Sequence, residues 1–332
     1  MTTAPEVVPE ERGLFATLVG DGRPLLYTVG VALMFSGGFA LFLSAAGQFL
    51  PHDIAFLGMT PQELCDLQQC RVVDFMIHDR VAWGGTLIAI GLLYVWLTAY
   101  PLSNGEEWAW WAILLSSLVG FASFLGYLSY GYLDSWHGLG TMLLLPVLAV
   151  GLIRARVLVP SWEGPRVLFR PGTSVLASSR LGIGRSLLIL AAAGMTVGGL
   201  VVTWVGISQV FVPQDLQFMG TTREMLDAIN VRLVPLMAHD RVGFGGGVAA
   251  AGLTVLLCVW CARPTRSLWQ VLALAWLAVS ACAIGIHYIV GYDIAVHVAP
   301  AALGAALFAV GLIVVRRPLV HEPSPAVGVV DG

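Results

Sequence analysis

The chain contains no lysine and few charged residues of either sign. All 17 basic residues are arginines, and charged residues make up 11% of the 332 positions, against 58% hydrophobic residues. Soluble domains carry about 25% charged residues, so this composition argues against a soluble protein. The missing lysine excludes Schiff-base chemistry and a P-loop. A net charge of −3 gives no electrostatic basis for binding nucleic acid.

Long apolar stretches dominate the remainder of the sequence. A transmembrane helix needs about 20 apolar residues, and eight stretches meet that length, at residues 25–47, 80–100, 108–129, 136–155, 186–208, 241–261, 267–289 and 296–315. The sequence therefore predicts an all-α integral membrane protein in a lipid bilayer. Arginines cluster after the fourth and sixth stretches and in the tail, so the positive-inside rule places both termini in the cytoplasm. We expect the cytoplasmic membrane of a bacterium.

The two halves of the chain match each other at an offset of about 161 residues. One match joins the runs 76–81 and 237–242, which share a central His-Asp-Arg. Each half has four predicted spans that start from the same side, so the repeats are parallel. The sequence predicts two tandem four-helix bundles at 25–155 and 186–315, a cytoplasmic N-terminal segment at 1–24, an Arg/Pro-rich cytoplasmic linker at 156–185 and a cytoplasmic tail at 316–332.

Four histidines are paired by this repeat, and each opens an even-numbered span. His78 corresponds to His239, and His137 corresponds to His297. Within each half the two histidines are expected at similar depth on parallel helices. That geometry suits one metal centre, such as a six-coordinate haem iron, and an iron-free metal site is a variant of it. Two other interpretations stay open: the histidines cap helix ends, or they handle protons.

Two arginines beside these histidines are candidate cofactor-binding residues. Arg80 and Arg241 follow the His-Asp pairs directly. Either could pair with a haem propionate at the outer face. Pairing with aspartates such as Asp53 or Asp215 is an equal alternative.

Three further residues are secondary candidates. Asp79 and Asp240 could accept from the imidazole nitrogen that does not bind metal. Because adjacent residues on a helix do not face each other, Asp79 is expected to serve the surroundings of His137 rather than its neighbour. His287 stands outside the repeat and suggests that the two halves are not equivalent.

The first outer loop, at about 48–79, holds the cysteine pair Cys65 and Cys70 with the spacing C-x4-C. The outside is oxidising, so a disulfide is a candidate there. It requires a break in the helix, because residues five apart on one helix are too distant to bridge. Thr60 and Glu63 have the spacing of a capping box and predict a short helix in this loop.

This layout resembles the haem A synthase family. The residues that carry the likeness are the paired histidines His78, His137, His239 and His297, and the cysteine pair of the first outer loop. The likeness covers residues 25–315 in the arrangement of spans. It implies a b-type haem in one bundle, a haem substrate in the other, and oxidation of a methyl group as the activity.

Three functions follow as expectations. The first is a membrane haem protein that acts in electron transfer or haem modification with a redox partner; as an enzyme it would be an oxidoreductase, and a quinone is a further cofactor candidate. The second is a proton-coupled permease that depends on His287, Asp79 or Asp240. The third is a non-catalytic subunit or assembly factor of a respiratory membrane complex.

Overall fold

The computed structural model describes residues 13–126, 130–132 and 134–321. Within these residues the chain forms helices, turns and irregular segments, without a strand. The α-helices are α1 (Leu14–Val19), α2 (Arg23–Ala45), α3 (Pro51–Leu57), α4 (Pro61–Gln68), α5 (Arg71–Ala99), α6 (Glu107–Gly126), α7 (Ser135–Ala155), α8 (Arg180–Ser208), α9 (Pro213–Met219), α10 (Arg223–Ile229), α11 (Leu233–Cys261), α12 (Arg266–Val290) and α13 (Ala295–His321).

Seven of the described helices are long and apolar enough to cross a membrane: α2, α5, α7, α8, α11, α12 and α13. They indicate an integral membrane protein, as the composition predicts. The outer helices also expose large apolar side chains, such as Phe35 on α2 (76%) and Trp204 on α8 (69%), which suits a lipid bilayer. Helix α6 covers the third predicted span up to Gly126, and residues 127–129 of that span lie outside the described part of the chain.

Helices α5 and α11 begin earlier than the sequence predicted. The apolar stretches gave starts at residues 80 and 241, whereas α5 begins at Arg71 and α11 begins at Leu233. The predicted starts were wrong because charged residues were taken as helix ends, while Arg80 and Arg241 pair with aspartates inside the structure. The histidines beside them therefore lie more than one turn inside each helix.

The same two helices form the centre of the bundle. The apolar window is 72% buried in α5 and 78% buried in α11, against 17–28% in the other five candidate spans. Helix α5 packs against α2, α11 and α12, and α11 packs against α5, α6 and α8. Around them, α13 packs against α8 and α12, and α7 packs against α2.

The third helix of each half lies against the second helix of the other half, because glycines leave room there. A Cβ atom on Gly85 of α5 would lie 2.5 Å from the Cβ atom of Cys282 on α12. A Cβ atom on Gly246 of α11 would overlap Ser123 on α6. Small residues let helix backbones approach closely. The two halves therefore contact each other directly through α5 and α12 and through α6 and α11.

Four short helices, α3, α4, α9 and α10, cover one end of the bundle, which we call the histidine end. A capping box opens α4: the Thr60 N–H donates to Glu63 Oε2 (2.7 Å), and the Glu63 N–H donates to Thr60 Oγ1 (3.3 Å). The Met225 N–H donates to the hydroxyl of Thr222 (3.3 Å) at the start of α10. These caps hold short helices that isolated peptides of this length would not form.

Cys65 and Cys70 form a disulfide, with their Cα atoms 3.8 Å apart. Helix α4 ends just before Gln69 (φ 51°) and Cys70 (φ 63°), which both have left-handed backbone conformations. Helix α5 begins at the next residue. This reversal supplies the break in the helix that a bridge between these positions requires.

Candidate functional site

The five histidines singled out in the sequence lie at the histidine end, but their pairing differs from the prediction. The histidine triad combines His78 on α5, His287 on α12 and His297 on α13. His137 on α7 contacts His239 on α11 instead. The predicted pairs within each half are therefore wrong. Helix α12 packs on α5, and α13 begins five residues after α12 ends, so the turn delivers His297 to α5.

The triad is compact and buried. The Nε2 atoms of His78 and His287 are 3.1 Å apart, and one ring nitrogen from each of the three histidines lies within 4.8 Å of the others. His78 is 3% exposed and His287 is 5% exposed. His297 is half-buried, so two of the three imidazoles are held away from bulk water, and their burial costs free energy unless their polar atoms have partners.

Each triad imidazole has an acceptor at its other nitrogen. His78 Nδ1 is 3.0 Å from Asp79 Oδ1, and His287 Nδ1 donates to the carbonyl oxygen of Ala283 (2.7 Å). His297 Nδ1 lies 3.3 Å from the hydroxyl of Tyr292. An acceptor at Nδ1 favours the neutral tautomer with the proton on that atom, which leaves a lone pair on Nε2. In this tautomer the Nε2 lone pairs of His78 and His287 face each other across 3.1 Å.

A network of charged residues adjoins the triad. Arg241 bridges two carboxylates, with Nε 3.0 Å from Asp79 Oδ2 and Nη1 2.9 Å from Asp215 Oδ2. The Tyr292 hydroxyl donates to Asp215 Oδ1 (2.6 Å), so its oxygen is left to accept from the triad. Asp79 serves its neighbour His78, contrary to the expectation that it would serve another histidine.

The same contacts recur at the matching positions of the other half. Arg80 donates to Asp240 Oδ2 (2.9 Å) and lies 2.9 Å from Asp53 Oδ2, and the Tyr132 hydroxyl donates to Asp53 Oδ1 (2.6 Å). Arg80 and Arg241 are thus each paired with two aspartates. The sequence left haem propionates and aspartates open as partners of these arginines. In the structure both arginines pair with aspartates, so neither presents an uncompensated charge to a haem propionate.

The two tyrosines of this network were missed as site residues. Burial, together with the adjacent Asp53 carboxylate, raises the pKa of Tyr132 above its usual range, and burial with Asp215 does the same for Tyr292. Both phenols therefore stay protonated donors. The available signal was the repeated Gly-Tyr pair that precedes His137 and His297 in the sequence.

A second group, the aspartate cluster, consists of Asp134, His137 and His239. Asp134 Oδ1 caps α7 by accepting from the N–H groups of Trp136 (2.8 Å) and His137 (3.0 Å). Its Oδ2 lies 2.6 Å from His137 Nδ1 and 3.2 Å from His239 Nε2. Burial would raise the pKa of Asp134, but hydrogen bonds from His137 and His239 outweigh it and hold the pKa below its usual range.

The lowered pKa of Asp134 gives a testable pH dependence. A group whose pKa is depressed on folding stabilises the protein above its unfolded pKa, and that stability is lost as the pH falls towards the folded value. We expect wild type to exceed Asp134→Asn in thermal midpoint by a steady margin down to about pH 4, and the margin to shrink only in stronger acid. A margin that already closes between about pH 6 and pH 5 would contradict this.

A further histidine and a further aspartate adjoin the aspartate cluster. His52 Nε2 lies 2.9 Å from Asp134 Oδ1, and His52, Asp53 and Asp134 form a third group whose atoms could hold a metal ion. This group and the aspartate cluster both contain carboxylates that already have partners. Among the described residues, the triad alone joins three imidazoles.

No family model, no curated protein and no solved structure matches this chain.

Proposed function

We propose that this chain is an integral membrane metalloprotein that holds one transition-metal ion on His78, His287 and His297. The convergence of their ring nitrogens, with each Nδ1 anchored to an acceptor, carries the proposal. Lone pairs that face each other repel unless a cation lies among them. Imidazole is the ligand type that zinc, copper and iron share.

The spacing favours a small ion over a haem between two axial histidines. Ligands on one tetrahedral ion with bonds of about 2.0 Å lie about 3.3 Å apart, whereas two axial ligands on opposite sides of an iron lie about 4 Å apart. The Nε2 atoms of His78 and His287 are 3.1 Å apart. His78 and His137, the predicted haem pair, belong to different clusters. The proposed ion therefore uses a different set of histidines from the haem that the sequence suggested.

The surrounding residues orient the ligands. Acceptors at the second imidazole nitrogen fix the tautomer and make the ligand more basic. Asp79, the Ala283 carbonyl and Tyr292 fill this role at the three histidines. Sites with three protein ligands are typical of catalytic metal centres, and bound copper or iron would supply one-electron chemistry. We therefore propose an oxidoreductase with a redox partner.

Metal analysis combined with visible spectroscopy tests this function. The protein would be purified in mild detergent from cells supplied with haem, iron, copper and zinc. We expect about one metal ion per chain, as for a single three-histidine site, and no Soret band. The ion should be lost in His287→Ala and retained in His137→Ala, which removes a histidine of the aspartate cluster.

Two other results would reject the metal ion. A Soret band with reduced α and β bands, lost in His78→Ala, would favour the haem that the sequence suggested. Neither metal nor chromophore would favour a second candidate, a proton-coupled permease. The 3.1 Å separation of His78 and His287 supports that candidate, because it is also a hydrogen-bond distance if one imidazole is protonated. Proton uptake would then require His287.

We also propose that the chain arose by duplication, that α6 is an eighth span, and that the histidine end faces the outside of a bacterial cytoplasmic membrane. The matched contacts of Arg80 and Arg241 support the duplication.

The arginine-rich segments at the ends of the spans opposite the histidine end support the proposed orientation. The proposed orientation is checked by introducing single cysteines at residues 104 and 225 and labelling them from either side of the membrane.

A further inference from the structure

A second feature of the histidine end is a cavity of about 570 Å³ between α2, α5, α6, α7 and α11. It is elongated: on α5 its lining runs from Arg80 to Tyr94, which corresponds to about 21 Å along a helix. Most of its wall is apolar, with Leu87 and Phe121 among the lining residues. This shape suits a chain-like apolar ligand better than a compact one.

The cavity opens sideways between α2 and α7. Phe35 of α2 and Leu143 of α7 both line it, and they are 76% and 61% exposed. The exposed faces of these two candidate spans are the faces that suit lipid. A ligand would therefore enter from the bilayer and must be lipid-soluble.

Charged groups concentrate at the end of the cavity that adjoins the aspartate cluster. Three aspartates line it there against one arginine, and that arginine is already bonded to two of them: Asp53, Asp134, Asp240 and Arg80. An anionic head group, such as a fatty acid, a phospholipid phosphate or a haem propionate, would be repelled at this end. A neutral head group that carries hydrogen-bonding oxygens is not.

The same end offers flat aromatic walls. Trp83, Trp136 and His137 line it, and the rings of Trp83 and His137 are 4.9 Å apart between centroids. Such walls suit a planar ring, which can stack or meet them edge to face. Ser44 adds a polar residue to the lining, and its buried hydroxyl has no hydrogen-bond partner among the described residues. A buried hydroxyl without a partner in the protein can bond to a water molecule or to a bound ligand.

We propose that this cavity binds an isoprenoid quinone or its quinol, with the ring beside His137 and His239 and the tail along α2 and α5. The ring is planar and neutral, its oxygens can bond to Ser44 and the imidazoles, and its tail matches the elongated apolar wall. The proposal concerns binding and stands independently of the metal ion on the triad.

Filling the cavity without disturbing the packing provides the test. Gly243 of α11 is buried and lines the cavity, yet a Cβ atom there would meet nothing within 4 Å. Gly243→Leu therefore fills the ligand space. Gly198 of α8 also has nothing within 4 Å but is exposed and does not line the cavity, so Gly198→Leu is the matched control.

The proteins would be placed in quinone-free phosphatidylcholine nanodiscs and titrated with a decyl-tailed ubiquinone, with tryptophan quenching as the readout. We expect Gly243→Leu to weaken binding at least about tenfold, which is 1.4 kcal/mol, and Gly198→Leu to bind as wild type. Ser44→Ala, which removes one hydrogen bond, should weaken binding about three- to tenfold. His287→Ala should bind normally, which separates this result from the metal test.

Two outcomes would overturn the proposal. Equal binding by wild type and Gly243→Leu would place the quinone elsewhere. Tighter binding of palmitate or of farnesol than of the quinone would assign the cavity to a fatty acid or to an isoprenoid alcohol. Quinone recovered by solvent extraction from wild type, and absent from Gly243→Leu prepared in parallel, would support the proposal in the native membrane.

Discussion

Replacing Arg241 by methionine is expected to destabilise the protein by about 3–5 kcal/mol, since removal of one partner from a buried ion pair leaves uncompensated charge. Arg241 is 5% exposed and bridges Asp79 and Asp215. Methionine replaces the aliphatic part of the arginine side chain and keeps its apolar contacts, so the loss reports mainly the charged guanidinium. The free energy of unfolding would be measured in mild detergent titrated with sodium dodecyl sulfate.

Two variants make this result interpretable. Arg71→Met removes an exposed arginine at the start of α5 whose guanidinium donates to the Phe218 carbonyl oxygen (3.4 Å), and it should change stability by less than about 0.5 kcal/mol. Adding Asp215→Asn to Arg241→Met removes one of the stranded charges and should recover part of the loss. Similar stabilities for the Arg71 and Arg241 variants would show that the network adds no net stability.

Replacing Gly85 by leucine is expected to destabilise the protein by about 3 kcal/mol and also to remove the proposed metal ion from the histidine triad. A Cβ atom there would lie 2.5 Å from Cys282 Cβ and 2.7 Å from the Ala278 carbonyl oxygen, both on α12. The backbone oxygen cannot move aside without moving α12. Because α12 carries His287, separation of α12 from α5 would draw this ligand away from His78.

The matched control is Gly38→Leu on α2, where a Cβ atom meets nothing within 4 Å and the residue is exposed. This variant should retain the stability and the metal content of wild type, because a leucine side chain at this exposed position extends away from the protein without meeting another helix. Elemental analysis of both variants measures the effect on the triad. Retention of the ion in Gly85→Leu would mean that the close packing of α5 and α12 does not position the triad.

The two clusters occupy related places but carry different ligands. His78 and His239 match in the sequence, as do His297 and His137. The triad adds His287, whereas the other cluster contains the carboxylate of Asp134. The residue that matches His287 is Tyr127, which lies outside the described residues. The histidine triad is thus a set of three imidazoles. The aspartate cluster is an imidazole pair bridged by a carboxylate at the charged end of an apolar cavity.

Local signals predicted the elements well. Runs of apolar residues gave the candidate spans to within a few residues, except at the starts of α5, α8 and α11 and at the end of α13. The Thr60 and Glu63 pair gave the start of α4, because a cap depends on residues three apart. The repeated His-Asp-Arg run marked the histidines, aspartates and arginines of both networks. Such information is short-range, and the sequence carries it directly.

The sequence by itself determined a helical membrane protein, its candidate spans and the residues that could carry chemistry. Only the tertiary structure decided which of those residues meet. The pairing of His78 with His287 joins positions 209 residues apart, and it depends on Gly85 admitting α12 against α5. Hydropathy gives the buried face of a helix but not its partner, because every apolar span can pack against any other. The close approach of α12 to Gly85 therefore decides which histidines meet.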